Sequence, residues 1–324
     1  MQKIIIPILT AALILGGCSA ANTAGDNGPN TKTSQNITAN QQQNVPLPPE
    51  KAEEIMSEYK KLLQNNKPYQ VIRFIDENIA RLPQVNAGEM IRQLEEMQIQ
   101  YQEQYTYALF QGNGENQQKL NQLFHYRFDK DKINAIENKD LKSLVTEIVN
   151  GGYKFASFEG ELYPIIDYEY FKKYIPYLPE DMIAYIEVMS LESNKPMAND
   201  AGLVISWDQL AYRTLKADRF LLKYPESARQ KQMADLYMMY LGAYMHGLDN
   251  TPIFDWETKK LSSEVLNSYQ KTISQHKETG TAQIISEYLQ LIEKNNFKID
   301  HKILDQGYQL YKKAAQELNL DGFN

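Results

Sequence analysis

Across residues 50–318 the apolar side chains return every three or four positions, and a chain patterned this way buries them as the inner stripes of packed amphipathic helices. Ile55, Tyr59, Leu62 and Leu63 form one stripe, and Val71, Ile72, Ile75 and Ile79 form another after Pro68. Over 88–110, Met90, Ile91, Leu94, Met97, Tyr101, Tyr105 and Leu109 share one side. Glu95, Glu96, Gln98, Gln102, Glu103 and Gln104 take the other, which predicts a surface helix with a polar outer face that Gly112-Asn113-Gly114 terminates. Shorter helices are expected over 120–126, 130–138 and 141–149. Gly151-Gly152 then separates an N-terminal helical region, 50–150, from a tyrosine-rich C-terminal helical domain, 151–324.

A fold of this kind must be held by its core, because the chain has a single cysteine and no intramolecular disulfide is possible. That cysteine, Cys18, follows a short apolar stretch, 4–15, preceded by Lys3 and too short to cross about 30 Å of hydrocarbon comfortably. The run Leu15-Gly16-Gly17-Cys18 resembles the lipobox of bacterial lipoproteins. The resemblance implies a leader over 1–17, cleavage before Cys18, and a diacylglycerol on its thiol, so that the lipid bilayer is a partner. It also implies an extracytoplasmic location, and Ser19 in the next position permits an outer-membrane destination in a two-membrane cell. Residues 18–49 then form the lipidated N-terminus and a linker. Rich in Asn, Gln, Thr, Ala and Gly, this stretch is expected to behave as a flexible tether averaging about 30 Å end to end.

The last third of the sequence is the most regular. Ser206 and Gln209 have capping-box spacing ahead of an inner face of Leu210, Thr214, Ala217 and Leu221. Met233, Leu236, Tyr237, Tyr240, Leu241 and Tyr244 supply the next stripe. Further helices are expected over 257–275, 282–294 and 301–318, the last capped by Asp300. The turn Phe220-Leu221-Leu222-Lys223-Tyr224-Pro225-Glu226-Ser227 resembles that of tetratricopeptide-type hairpins, although their period of about 34 residues does not repeat. The fold class expected is all-α, an irregular, repeat-like stack of helical hairpins. Strands over 153–158 or 203–205 are compatible with the pattern but too short to define a sheet.

Chemistry is sparsely encoded. The net charge of −7, with no basic block, argues against nucleic acid as a partner. His125, His246, His276 and His301 form no metal-ligand motif, and no phosphate loop, dinucleotide fingerprint or nucleophile elbow occurs, so no metal or cofactor is expected. Met245-His246-Gly247 reads as a helix end in which Gly247 turns left-handed, Leu248 packs beyond it, and a charged His246 meets the negative helix terminus; acid–base and metal roles are the alternatives. Glu159 and Asp167 lie in the tyrosine-rich segment. They form either the carboxylate pair of a glycoside hydrolase, part of a carbohydrate or peptide groove with Tyr168, or a solvated loop with buried aromatic anchors. In the loop 247–256, Asp255 is placed to cap the next helix with Thr258 three positions on, while Trp256 serves either packing or a ligand. Tyr168 and Trp256 are therefore the candidate ligand contacts. The function expected is a membrane-anchored envelope or cell-surface lipoprotein, a noncatalytic binding or scaffolding module for a cell-wall polymer, peptide or envelope protein. The alternative is an envelope polysaccharide or cell-wall hydrolase using the carboxylate pair.

Overall fold

Prolines start the first two helices, where a fixed φ and a missing amide cost nothing: α1, Pro49–Asn65, and α2, Pro68–Asn78. The computed structural model describes residues 47–320, so the leader, Cys18 and the linker as far as residue 46 lie outside the described residues. Within them the fold is all-α, with twelve α-helices and three two-stranded antiparallel ribbons. α3, Gln84–Phe110, runs beside α1 and α2 and ends at the glycine pair flanking Asn113, all three at positive φ. α4, Glu115–Phe124, and α5, Lys139–Asn150, follow, separated by a 3-10 turn at Lys130–Ala135.

Next comes a β-hairpin of β1, Tyr153–Phe158, and β2, Glu161–Ile166, where alternation replaces the helical period. A single helical turn, α6, Tyr168–Phe171, leads through a 3-10 segment to α7, Glu180–Asn194. The rest is the expected series of hairpins: α8, Trp207–Lys223; α9, Gln230–His246; α10, Ser263–Gln275; α11, Gly280–Lys294; and α12, His301–Glu317. Ser206 and Gln209 make the reciprocal capping box, and the Asp300 side chain accepts from the Ile303 amide. The inner positions of α8 and α9 expected from spacing are all buried. On α12, Ile303 is buried while Tyr308 is half exposed.

The expected polar outer face of α3 is where the structure departs most from the pattern. Glu95 and Gln98 are among the most buried polar residues of the chain, because α3 is covered on this side too. Gln98 donates to the Gly151 carbonyl (2.7 Å), and the Tyr153 hydroxyl donates to the Gln98 carbonyl (2.7 Å). The two glycines are thus clamped to α3, and one apolar core continues past them from Ala52 to Ala315. Glu95 gathers three donors: the hydroxyls of Tyr168 (2.5 Å) and Tyr185 (2.6 Å) on one oxygen, and the Arg229 guanidinium on the other. Arg229 also lies 4.8 Å from the centre of the Tyr185 ring. Burial first, and the Glu95 charge second, hold the Tyr168 phenol well above its ordinary pKa; the same two causes act on Tyr185. Both hydroxyls therefore remain donors. Gly88 lets α3 approach the start of α7, since a Cβ there would sit 3.0 Å from the Pro179 ring.

Removing one partner from such a cluster strands the others in a medium that cannot solvate them. Glu95→Ala is expected to lower the unfolding free energy by about 3–5 kcal/mol. Glu96→Ala, one position on and bound to Arg92 in a solvent-accessible ion pair, should cost less than about 1 kcal/mol. Chemical denaturation of the two variants measures the contrast.

Candidate binding site on a loop shelf

The helices from α7 to α12 alternate in direction, so the connections at 195–206, 247–262 and 295–300 emerge together at one end. The connections at the other end, 224–229 and 276–279, are tight turns. Two small ribbons stiffen the larger loops: β3, Ala198–Asn199, with β4, Gly202–Leu203; and β5, Gly247–Leu248, with β6, Thr251–Pro252. The loops are also bonded to one another. The Asn250 amide donates to the Ala201 carbonyl (3.0 Å), and the Leu203 amide donates to Thr251 Oγ1 (3.0 Å). Leu261 N donates to Phe297 O (2.8 Å), and Ile299 N donates to Lys259 O (2.7 Å). The result is a continuous shelf resting on the helix ends.

Beneath it lies a second buried carboxyl. Glu192, near the end of α7, accepts from the Tyr240 hydroxyl (3.2 Å), from Arg213 Nη1 (3.3 Å) and from the Met197 amide; Arg213 also donates to the Lys195 carbonyl (3.1 Å). Burial drives this carboxyl above the usual carboxylate range, opposed by Arg213, the Met197 amide and Tyr240. The first loop of the shelf is thus fixed to the helical core.

Trp256 stands on this shelf, 60% exposed. Its ring meets Phe254 edge to face at 5.5 Å, and Lys259 Nζ lies 4.9 Å from its centre, so the indole is held by two neighbours while much of it stays exposed. Asp255 accepts from the amide and hydroxyl of Thr258 (both 2.8 Å). This pairing, expected at a helix start, instead closes a turn: α10 begins only at Ser263, with Ser262 as its cap. Phe254 pairs across the turn with Leu261, and that small hairpin is what presents the indole.

The other expected site residues are placed differently. Tyr168 is buried and committed to Glu95, which removes it from any ligand surface. Glu159 occupies the tip of the β1–β2 hairpin at φ 51°, and Asp167 lies beyond its base, capping α6 and paired with Lys154 at 3.0 Å. An extended β2 between them separates the two carboxylates by roughly 20 Å at about 3.3 Å per residue, too far to flank one sugar ring. Tyr153, Tyr174 and Tyr185 are also interior, so the segment supplies buried anchors. Among the described residues, no group of three or more His, Cys, Asp or Glu side chains is arranged to hold a metal ion, and no helix is long and apolar enough to cross a membrane.

His246 corrects a further expectation. It ends α9, but its ring is enclosed by Tyr288, Tyr311 and Gly307, and burial pushes its pKa down to about 4. The imidazole is therefore neutral and offers no charge to the helix terminus. Gly247 does take a positive φ, 76°, but its ψ of −164° turns the chain into β5, so no left-handed cap forms.

No family model, curated protein or solved structure matches the chain. The fold and the shelf alone define its class: an all-helical, repeat-like domain with its elaborated loops at one end.

A Cβ on Gly247 would lie 2.6 Å from the Thr251 carbonyl oxygen, in a region of backbone space open essentially to glycine alone. Gly247→Ala should cost at least about 2 kcal/mol and expose Lys259 and Lys260 to trypsin, as limited proteolysis would reveal. For His246, the unfolded chain binds a proton at pH values where the folded one does not. Stability should consequently fall as pH drops below the ordinary value of 6.5 and level off below about 4. The full difference is about 3 kcal/mol, and its absence in His246→Gln, followed by denaturation across this range, would confirm the source.

Proposed function

We propose that this chain is a membrane-anchored envelope lipoprotein whose helical domain is a noncatalytic binding or scaffolding module, engaging an extracytoplasmic polymer or envelope protein through the loop shelf. The observation that carries the reading is Trp256: a large apolar side chain held by Phe254 and Lys259 and still largely exposed. Aromatic residues presented in this way are frequent recognition anchors, because a stiff ring contributes contact area while losing little conformational freedom. The placement supports the reading as well, since stacked helical units carry their insertions on one face and that face is often the one that binds. Anchoring rests on the lipobox-like run ending at Cys18. Two acyl chains bring about 0.8 kcal/mol per buried methylene, and retention near the bilayer raises the local concentration of a weak binder.

Metabolic labelling with a fatty-acid analogue should mark the parent chain and not Cys18→Ser. An unlabelled parent would remove the anchor from the proposal. Independently, the whole chain in nonionic detergent should retain wall polymers or envelope proteins at least about tenfold better than Trp256→Ala of equal helicity, a loss of roughly 1.4 kcal/mol. Equal retention would remove the shelf from it.

A further inference from the structure

The shelf carries an electrostatic arrangement that folding alone does not favour. Lys260 and Lys298 face each other across an isolated antiparallel bridge. The flanking bonds, Leu261 N to Phe297 O and Ile299 N to Lys259 O, make it a pair without hydrogen bonds of its own. In such a pair the two Cβ atoms stand about 4.5–5.5 Å apart on the same face, and like charges placed there repel. The neighbouring residues Leu261 and Ile299 are buried, so by alternation both lysines face away from the core, and both are exposed. Lys259, adjacent in sequence, is the cation set against the Trp256 ring.

Among the described residues none of these three lysines makes an ion pair. Asp255, held by Thr258, and Asp300, which accepts from the Ile303 amide and from Asn295 Nδ2, feel the charges of Lys259 and Lys298 respectively without closing a contact ion pair; the facing pair Lys260 and Lys298 still shares one bridge. One cation thus stands against the exposed indole and two more face each other on the same bonded loops, on a chain whose overall charge is −7.

We infer that the shelf binds an acidic polysaccharide, with the carbon-bound face of one sugar on the exposed indole of Trp256 and carboxylate or phosphate groups of the chain on Lys259, Lys260 and Lys298. This rests on the binding function proposed above and adds the chemistry of the ligand. A flat ring answers a sugar face, and a lysine pair fixed by strand register answers a charge that self-repulsion would otherwise disfavour. A lipid surface fits less well. The ring is backed by Phe254 and Lys259, and the only other large apolar side chain strongly exposed on these three loops is Val204, leaving no broad apolar wedge to enter a bilayer.

The test uses the whole chain in nonionic detergent with polygalacturonate and the fully methyl-esterified form of the same polymer as probes. Polygalacturonate should bind at least about tenfold more tightly than the ester, and raising salt from about 50 to about 500 mM should remove most of that advantage. Lys260→Gln with Lys298→Gln should bind the acid at least about fivefold more weakly. Its melting temperature should rise by about 1–3 °C, because the repulsion is relieved. Trp256→Ala should weaken both polymers. If the ester binds as well as the acid, or the double lysine variant binds like the parent, while Trp256→Ala still weakens binding, the acidic ligand is wrong and the binding site stands. If neither polymer is retained, the inference fails. A preference for phosphatidylglycerol over phosphatidylcholine vesicles that the lysine changes abolish would then assign the cations to a lipid surface. If Trp256→Ala binds every probe like the parent, the shelf itself is not the site.

Discussion

A single buried carboxyl group, that of Glu95, decides how the two halves of this protein meet. A charge taken out of water is tolerated only where donors replace the lost hydration, and here they come from α6, α7 and the start of α9. Glu95 cannot leave without stranding the two phenols and the guanidinium that converge on it. Apolar packing between α3 and the C-terminal helices would tolerate several rotations; an acid that needs Tyr168, Tyr185 and Arg229 together tolerates far fewer. The cluster thus sets the register in which the hairpin series is laid against the N-terminal helices.

A second set of buried polar residues carries that register to the far helices. Asp218 of α8 accepts from the amide and hydroxyl of Thr281 (both 2.7 Å), and the Tyr269 hydroxyl of α10 donates to the Tyr244 carbonyl of α9 (2.7 Å). Tyr59, Tyr153 and Tyr240 act in the same way: the ring contributes apolar area and the hydroxyl satisfies one buried acceptor. Trp256 differs in having no such interior task. With the helix ends fixed and the loops bonded to one another, the place of its indole is set by the frame beneath it.

How much of this could be read from the sequence depended on whether the deciding interaction was local. Caps at Ser206 and Asp300, the stop after α3, and the inner faces of α8 and α9 involve residues a few positions apart, and all were legible. The interior place of Glu95 and Gln98 was not, because a helix covered on several sides looks amphipathic until its second neighbour is known. Glu159 and Asp167 seemed near because they are close in sequence, yet an extended β2 turns that closeness into distance. Asp255 and Thr258 kept the expected bond and changed its purpose, since nothing in that spacing separates a helix start from a turn. The aromatic character of Trp256 was visible; the lysines around it were not, because Lys298 reaches Lys260 only through the fold.

The terminal helices of the stack have a consequence for assembly. Outward residues of α1 include Glu50, Lys51, Glu53, Glu54, Glu58, Lys60 and Lys61, and those of α12 include Lys302, Asp305, Gln309, Lys313, Gln316 and Glu317. Among the described residues the outward faces of α1 and α12 are thus mainly charged and polar, with Tyr308 the large apolar side chain exposed there, as suits the ends of a helical stack. End faces of this kind stay in water readily, so order in any dense layer of these molecules would come from whatever they hold in common.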